Sequence, residues 1–374
     1  MENITIEACA AEGKALTHWN GVVVFVPFAV PGDVVDIRVT KKSKNYYEGF
    51  VERIVTPSKD RLEPFCQHFG VCGGCKWQPL PYPMQLEAKR QQVYDQLVRI
   101  GHLNVPEIRP TIPSDKIQYY RNKLEFTFSS KRWLLKDEDI ESVPENDRMG
   151  LGFHVGKFFD KVLDIKHCYL QKDPSNDIRL FIKKYAVENG LDFFDIRQNV
   201  GYVRNMFIRT TDTGDLMVIM CFFYENREDR EKMLDAIAEA FPQITSLYYI
   251  INNKLNDSIG DQECILYKGE PTIRETMESL TFRIGPKSFY QTNSEQAYKL
   301  YSVARDFAEL TGNEIVYDLY TGTGTIAQFV SGKAARVIGI EYVPEAIEDA
   351  KVNAAGNGIT NCEFFAGDMK DVLS

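Results

Sequence analysis

The strongest constraint on the fold lies towards the C-terminus, where the sequence EIVYDLYTGTGTIAQFV fills positions 314–330. An apolar run ends at Asp318, a turn carries Gly322 and Gly324, and a helix-like segment follows. Glycines are needed in such a turn because the backbone must bend sharply and lie close to a ligand. The pattern predicts a strand, a glycine turn and a helix, which open a doubly wound parallel sheet.

Two further predicted strands end in acidic residues. RVIGIE ends in Glu341, 23 positions after Asp318, and CEFFAGD ends in Asp368. An acidic residue about 20 positions after such a turn suits the two hydroxyls of a ribose. Asp368 would follow the next strand, where it could reach an adenine edge. Because parallel strands end at one rim of a sheet, the three acids together predict a nucleotide site.

The turn itself narrows the choice of nucleotide. It reads GTGTIA, with Ala327 at the third glycine position of the dinucleotide fingerprint. A carboxylate at Asp318 would repel a pyrophosphate, whereas it could bind an ammonium or a hydroxyl group. S-adenosylmethionine (SAM) has an ammonium and no phosphate, so SAM is favoured over NAD. The alternative is an ordinary αβ unit with a helix-capping glycine.

Composition bounds the class of protein. The chain has 374 residues, which favours two or three domains, and it is 44% hydrophobic and 26% charged, as in soluble globular proteins. No segment approaches the ~20 apolar residues of a membrane span. The N-terminus lacks the basic and apolar regions of a signal peptide. We expect a cytoplasmic protein with no membrane association and no obligate protein partner, whose eight cysteines are not disulfide-bonded.

Three domains are predicted from the pattern of strands and turns. Residues 1–58 contain short strands punctuated by Pro-Gly and predict a small OB-like barrel. Residues 59–285 predict a central α+β domain, with its clearest strands at 123–129, 205–211 and 215–224. Residues 286–374 predict the N-terminal half of a Rossmann-like domain. A helix is expected at Met84–Ile100, with Val93, Leu97 and Ile100 on one face and Gly101 at its end.

A dense cysteine cluster follows the predicted barrel. The stretch CQHFGVCGGC contains Cys66, Cys72 and Cys75, and a remote Cys168 is a candidate fourth ligand. C-x2-C is common in zinc sites, and His68 and His167 could supply nitrogen ligands. From the spacing alone, zinc and an iron–sulfur cluster both fit, and cysteines without a metal are the third alternative. The spacing differs from the C-x3-C-x2-C of radical SAM enzymes.

Basic and aromatic residues cluster locally although the net charge is −9. This charge argues against a protein that coats nucleic acid non-specifically. Positions 38–47 nevertheless read RVTKKSKNYY, and positions 119–123 read YYRNK. Cations contact phosphates and aromatic faces stack on bases, although a solvated lysine-rich turn explains either patch equally well. The candidates for RNA contact are Arg38, Lys41, Lys42, Lys44, Arg121 and Lys123.

Four motifs, taken in order, resemble a known family. CQHFGVCGGCKWQ, YRNKLEF, SFYQTN and DLYTGTGTIA are similar to segments of the bacterial RNA uracil-5-methyltransferases. The branch most similar methylates 23S ribosomal RNA and carries an N-terminal TRAM barrel. The resemblance implies a multidomain fold: TRAM barrel, central α+β domain with an iron–sulfur site, and Rossmann-like SAM-dependent methyltransferase domain. It also implies a [4Fe–4S] cluster whose ligands are Cys66, Cys72, Cys75 and Cys168.

The same resemblance implies a set of SAM contacts. It assigns contacts to Gln291 in SFYQTN, to the glycine turn, and to the ends of the two later strands. Together with the residues of the turn, the expected cofactor-binding set is Gln291, Asp318, Tyr320, Gly322, Gly324, Thr325, Glu341 and Asp368. One departure is Thr321, where many members have cysteine. We expect little consequence, because the backbone of the turn does the binding.

The chemistry of the family implies catalytic residues that the sequence does not contain. Uracil C5 is a weak nucleophile, so a cysteine thiolate adds to C6, C5 attacks the methyl group, and a general base removes the C5 proton. In the family, this cysteine and a glutamate base follow the third strand of a seven-stranded sheet. Their positions would lie beyond Ser374, so we assign no catalytic residue and expect a truncated chain.

The sequence therefore predicts SAM-dependent methylation of uridine C5 in RNA, with 23S ribosomal RNA as the leading substrate. Methylation of transfer RNA by the same chemistry is the first alternative. A non-catalytic RNA-binding iron–sulfur protein is the second.

Overall fold

The computed structural model describes residues 1–135, 138–139, 141–156 and 158–373. Ser374, at which the expected truncation falls, lies outside the described residues. The chain divides into two compact units. Unit 1 comprises Met1–Asp115 and His154–Phe159, and unit 2 comprises Lys116–Phe153 and Asp160–Ser374.

Unit 1 begins with a six-stranded barrel. Its strands are β1 (Ile4–Thr5), β2 (Ala8–Cys9), β3 (Lys14–Trp19), β4 (Val22–Pro27), β5 (Val34–Lys42) and β6 (Tyr46–Thr56), with a short 3-10 turn at Ala11–Gly13. They are ordered β1-β5-β6-β4-β3-β2, and only the β4–β6 pairing is parallel. Two residues join the edge strands β1 and β2: Ile6 N donates to Asp33 O (2.8 Å) and Glu7 N to Leu16 O (3.0 Å). This link closes the sheet, so the predicted barrel is confirmed.

The barrel interior follows from the alternation of its strands. Val24 and Val26 in β4, and Val35 and Ile37 in β5, are buried at every second position, as expected when one face of a sheet is covered. At one end, the buried Asp33 carboxylate pairs with Arg61 at 2.6 Å and accepts from Ser58 N at 2.8 Å. This ion pair fastens the chain that leaves the barrel.

The predicted helix after the cysteine cluster is present, with a difference at its end. The α-helix α1 (Tyr82–Tyr94) continues as a π-helix over Asp95–Ile100, and Gly101 follows. The wider i→i+5 hydrogen bonding changes which side chains share a face, so the apolar stripe predicted for a regular helix does not hold over this turn. No residue of α1 or of the π-helix is buried.

Unit 2 contains a seven-stranded mixed sheet. Its elements are β7 (Lys123–Ser129), β8 (Gly150–His154), β9 (Val162–Asp164), α2 (Ser175–Glu188), β10 (Val203–Thr210), β11 (Leu216–Phe222), α3 (Arg227–Ala240), β12 (Ser246–Ile251) and β13 (Ile265–Gly269), with a 3-10 turn at Glu145–Arg148. The sheet order is β13-β12-β11-β10-β7-β8-β9, and β11–β12 pair in parallel. The strands predicted at 123–129, 205–211 and 215–224 correspond to β7, β10 and β11.

The rest of unit 2 is a hairpin followed by a parallel sheet. The elements are β14 (Ile273–Met277), β15 (Leu280–Ile284), α4 (Ser294–Phe307), β16 (Ile315–Leu319), α5 (Thr325–Ser331), β17 (Arg336–Glu341), α6 (Pro344–Gly356), β18 (Cys362–Ala366) and α7 (Met369–Val372). The strands β16, β17 and β18 pair in parallel in this order. The βαβ pattern predicted from the glycine turn is confirmed.

A single core joins the two sheets of unit 2. Phe207 and Ile219 on the seven-stranded sheet belong to the same buried cluster as Phe282 of the hairpin, Ala327 of α5 and Val337 of the parallel sheet. This packing gives the segment between β15 and α4 two rigid neighbours. Across the described part of the chain, no helix combines the length and apolar character needed to cross a bilayer.

Candidate functional site

The glycine turn between β16 and α5 has two glycines with different surroundings. Both have left-handed backbones, with φ of +55° at Gly322 and +76° at Gly324. A Cβ on Gly324 would lie 2.9 Å from Phe364 Cε1 and 3.0 Å from Ala350 Cβ, whereas one on Gly322 would meet nothing within 4 Å. Gly324 is therefore needed for packing, and Gly322 leaves the backbone open to an approaching molecule.

Asp318 holds the turn together. One carboxylate oxygen, Oδ2, accepts from Thr321 Oγ1 at 2.6 Å and from Ala327 N at 3.0 Å. Burial raises the pKa of Asp318, and these two hydrogen bonds oppose the shift. Sequence reasoning assigned Asp318 to ligand contact and missed this structural part of its role.

Glu341 meets the turn from the end of β17. Its Oε2 accepts from Gly322 N at 3.2 Å, and its Oε1 accepts from Val343 N at 3.0 Å. The next strand lies alongside, because Gly367 N donates to Glu341 O at 2.9 Å. Asp368 is exposed and its Oδ1 accepts from Lys370 N at 2.9 Å, which caps α7. The structure thus brings Glu341 to the glycine turn, with Asp368 one strand further.

Tyr320 and Thr325 lie on opposite sides of the glycine turn. Tyr320 has φ +64° and is 74% exposed, so its ring points away from the core. Thr325 starts α5 and is buried, with its hydroxyl 3.4 Å from that of Thr323. Of the two, only Tyr320 presents its side chain to solvent.

Gln291 approaches the same sheet from the segment before α4. Its carbonyl oxygen accepts from Asn122 Nδ2 at 2.8 Å, and its side chain acts to lower the pKa of the buried Tyr301. Burial, and next the charge of Asp318, raise the pKa of Tyr301. Both Gln291 and Asp318 are thus close enough to Tyr301 to affect its pKa, and the contact of Gln291 with SAM stays a prediction.

A surface pocket lies beside this segment. It is lined by Lys116, Tyr119, Tyr120, Arg121, Asn122, Lys172, Thr210, Asp212, Asn293, Ser294 and Glu295. Two of its cations face carboxylates: Lys116 pairs with Glu295, and Lys172 lies 3.6 Å from Asp212. The predicted contact residue Arg121 lines the pocket. Mixed aromatic, cationic and amide groups of this kind suit a nucleotide.

Lys123, the other candidate in YYRNK, has a different environment. Its ammonium lies 5.6 Å from the centre of the Phe207 ring, a cation–π distance. Burial, followed by repulsion from Arg209, lowers its pKa. Lys123 is not among the residues that line the pocket, although it is close enough to Arg121 for that charge to lower its pKa as well.

The hairpin of β5 and β6, here called the basic hairpin, exposes four cationic side chains to solvent. The side chains of Arg38, Lys41, Lys42 and Lys44 are all exposed. Lys41 Nζ donates to Tyr46 Oη at 3.2 Å, and Lys42 lies 5.8 Å from the centre of the Tyr47 ring. Arg38 pairs with Glu52 at 2.5 Å. Cations over aromatic faces on one hairpin form a surface suited to nucleic acid.

The clustered cysteines have backbone donors around them. In unit 1, Gly74 N donates to Cys72 Sγ at 3.4 Å, and Cys66 N donates to Gln78 Oε1 at 3.2 Å. A Cβ on Gly73 would lie 2.9 Å from His154 O, so glycine is required there. In unit 2, Cys168 is buried and its N donates to Asn176 Oδ1 at 2.8 Å. Within the ranges that the structure describes, no three His, Cys, Asp or Glu side chains are grouped closely enough to hold a metal ion.

The fold and the glycine turn define a class: a methyltransferase domain in a chain that begins with a small β-barrel. Residues 2–51 match the TRAM domain family, and residues 310–374 match a family described as a methyltransferase domain. In the solved structures, the tRNA (uracil-54, C5)-methyltransferase of Pyrococcus abyssi, in complex with S-adenosyl-L-homocysteine, is similar. It is 26% identical, its TM-score is 0.72, and the match covers 98% of this chain and 80% of that one.

Curated relatives establish the family. A protein of Porphyromonas gingivalis named an RNA methyltransferase is 58% identical over 98% of this chain and 80% of its own length. A Bacteroides thetaiotaomicron protein of the same name is 55% identical over 98% of this chain and 81% of its own length. The chain belongs to the RNA methyltransferase family, and the resemblance found in the sequence is confirmed at this level.

Proposed function

We propose that this protein methylates C5 of a uridine in RNA with SAM as methyl donor, and that its main substrate is 23S ribosomal RNA. The observation that carries the proposal is the glycine turn, with Glu341 on its backbone and Gln291 beside it. The turn and Glu341 lie at the ends of parallel strands, which is where α/β sheets bind nucleotides. The likeness to the Pyrococcus abyssi enzyme, which acts on uracil C5 of transfer RNA and holds S-adenosyl-L-homocysteine, supports the choice of reaction and cofactor.

The residues of the chain fit SAM as follows. Glu341 would accept hydrogen bonds from the ribose hydroxyls, because a carboxylate at the end of the second strand suits a diol. The exposed carboxylate of Asp368 would meet the adenine edge. Gly322 would let the backbone approach the ligand, and Gly324 would keep the turn packed beneath it. Tyr320 would cover the ligand, and Thr325 would support the turn from behind. Gln291 and Asp318 would bind the amino-acid part, and SAM would supply the methyl group.

RNA would contact two surfaces, each described by its own residues. The exposed Arg38, Lys41, Lys42 and Lys44 supply phosphate contacts on the barrel, and Arg121 supplies one in the pocket beside the 291–295 segment. Lys123 is the weaker candidate, since its ammonium is engaged with the Phe207 ring. Transfer RNA is the second candidate substrate, favoured by the likeness to the Pyrococcus abyssi enzyme, which acts on transfer RNA.

The reaction we propose needs a cysteine thiolate as nucleophile. Burial raises the pKa of the thiols of Cys9, Cys221, Cys264 and Cys362, that of Cys362 to about 11. A thiol with a raised pKa is largely protonated at neutral pH and is a poor nucleophile. We therefore assign none of these four residues to the addition at uracil C6.

We also propose a [4Fe–4S] cluster with Cys66, Cys72, Cys75 and Cys168 as ligands; the proposal rests on the cysteine motif and its resemblance to the family, and not on the positions of these side chains in the structure. Thiolates are the usual ligands of such clusters, and the Gly74 N–H directed at Cys72 Sγ is the kind of donor that stabilises their sulfurs. When bound, the cluster would have a structural role and supply no electrons, because methyl transfer from SAM requires none. Anaerobically purified protein should be brown and contain iron and sulfide, and Cys72→Ser should remove them whereas Cys362→Ser should not. Colourless protein with stoichiometric zinc would refute the cluster.

The proposed activity is tested with the product of the natural gene, because no cysteine of these 374 residues is assigned as the nucleophile. That product is incubated with tritiated SAM and either 23S ribosomal RNA or transfer RNA. We expect label in 5-methyluridine of the ribosomal RNA. Label in transfer RNA alone would show that transfer RNA, and not 23S ribosomal RNA, is the substrate of the same C5 methylation. RNA binding without any transfer would instead support the non-catalytic RNA-binding protein.

A further inference from the structure

The C-terminal half of the segment Ser288–Ser294, which carries Gln291, is held by Asn122. Asn122, directly before β7, donates from Nδ2 to Gln291 O at 2.8 Å and to Ser294 Oγ at 2.9 Å. Its backbone N also donates to Thr292 O at 2.8 Å. A single residue thus satisfies three acceptors within four consecutive positions of the segment.

Asn122 is linked through Ser294 to a buried carboxylate. Ser294 Oγ donates to Glu275 Oε2 at 2.9 Å, and the backbone N atoms of Asp212 and Thr276 donate to Glu275 Oε1, each at 3.2 Å. Glu275 is 1% exposed, and in the described ranges no cationic side chain pairs with it. A buried carboxylate without a counter-ion is costly, so its hydrogen bonds must be kept. The hydrogen bonds from Asn122 to Ser294 and from Ser294 to Glu275 therefore have a defined direction. The Asn122 amide donates to the Ser294 hydroxyl, which in turn donates to the Glu275 carboxylate.

The other end of the segment is held by a buried arginine. Arg209 is 5% exposed, and its Nη2 donates to Ser288 O at 2.7 Å. Ser288 Oγ in turn donates to Asp349 Oδ2 at 2.9 Å and accepts from Gly285 N at 3.0 Å. The segment is thus tied at one end to β10 and α6 and at the other to β7 and β14, which leaves little freedom between.

We propose that Asn122, acting through Ser294 and Glu275, and Arg209 are positioning residues that fix the Ser288–Ser294 segment, and with it Gln291, for SAM. This inference rests on the proposed function. None of the four residues needs to touch the cofactor. Their effect is to set the Gln291 backbone in advance, so that binding does not require ordering the segment.

The test is calorimetric binding of S-adenosyl-L-homocysteine to wild-type protein and to variants, with thermal unfolding recorded for each. Asn122→Ala removes a donor to two acceptors and should weaken binding about tenfold, with Ser294→Ala weakening it about three- to tenfold. Ser294→Thr keeps the hydroxyl and should bind like wild type. Asn205→Ala is the matched control, because Asn205 Nδ2 bonds Thr127 Oγ1 at 3.3 Å on the same sheet and does not touch the segment.

The possible results distinguish a failure of the positioning role from a failure of the proposed SAM-dependent function. Wild-type protein that fails to bind S-adenosyl-L-homocysteine would overturn the proposed function. Wild-type binding that Asn122→Ala and Ser294→Ala leave unchanged would overturn the positioning role alone. Equal weakening by Asn205→Ala would show general destabilisation and also overturn it. If Asn122→Ala does not fold, the comparison of Ser294→Ala with Ser294→Thr decides.

Discussion

The two glycines of the turn offer the sharpest prediction, because they share a backbone conformation but not an environment. Gly322→Ala and Gly324→Ala each place a Cβ on a left-handed residue, which costs about 1–2 kcal/mol. Only Gly324→Ala also forces a methyl group to 2.9 Å from Phe364 Cε1 and 3.0 Å from Ala350 Cβ. Overpacking of this kind costs about 1–3 kcal/mol.

The expected totals follow by addition. Gly324→Ala should lower the local free energy of unfolding by about 2–5 kcal/mol, and Gly322→Ala by about 1–2 kcal/mol. The conformational cost is common to both, so the difference between the variants measures packing alone. Hydrogen exchange at the amides of α5 and β17 is the appropriate assay, because it reports local stability in a chain with two compact units.

We expect the order of the two variants to be reversed for cofactor binding: Gly322→Ala should lose more affinity for S-adenosyl-L-homocysteine than Gly324→Ala, although it loses less stability. A methyl group on Gly322 meets no protein atom within 4 Å and would project towards the proposed cofactor. We expect Gly322→Ala to weaken S-adenosyl-L-homocysteine binding more than its small loss of stability accounts for. Equal losses of protection in α5 for both variants, or wild-type affinity in Gly322→Ala, would refute this account of the turn.

Three further predictions concern thiols, pH and RNA. Burial raises the pKa of Cys362 to about 11, so this thiol should resist iodoacetamide at neutral pH in the native protein, as measured by peptide mass spectrometry. Rapid labelling of Cys362 would contradict the conclusion that it is a poor nucleophile. Burial raises the pKa of Glu275 above 4.5, so the folded state binds a proton more readily than the unfolded state. The stability of wild type relative to Glu275→Gln should therefore rise as pH falls from neutral towards 4.5, and a difference in urea midpoint that is independent of pH would contradict this. Replacing Lys41, Lys42 and Lys44 by alanine should weaken RNA binding and reduce the slope of log affinity against log salt by about 2–3, whereas an unchanged slope would remove the barrel hairpin from the interface.

The elements that sequence predicted well are those with a strong local signal. The strand β7 coincides with the predicted residues 123–129, and the three parallel strands predicted around the glycine turn are present. Hydrophobic alternation and glycine in a left-handed turn are local properties, so they can be read without knowing what packs where.

The features that sequence could not supply depend on distant partners. Asn122 and Glu275 are separated by 153 positions and meet only through Ser294, and no local pattern marks a buried carboxylate without a cation. Asp318 looked like a ligand residue because its hydrogen bonds to Thr321 and Ala327 arise only after the turn has folded. The π-helical end of α1 was missed for the same reason, since periodicity assumes a regular helix.

The central claim is that this protein transfers a methyl group to uridine C5 in ribosomal RNA. The most direct measurement is to map 5-methyluridine by mass spectrometry in RNA from cells with and without the gene. The account predicts that at least one 23S uridine loses its methyl group in the absence of the gene. Full methylation of every 23S uridine in cells without the gene would contradict it.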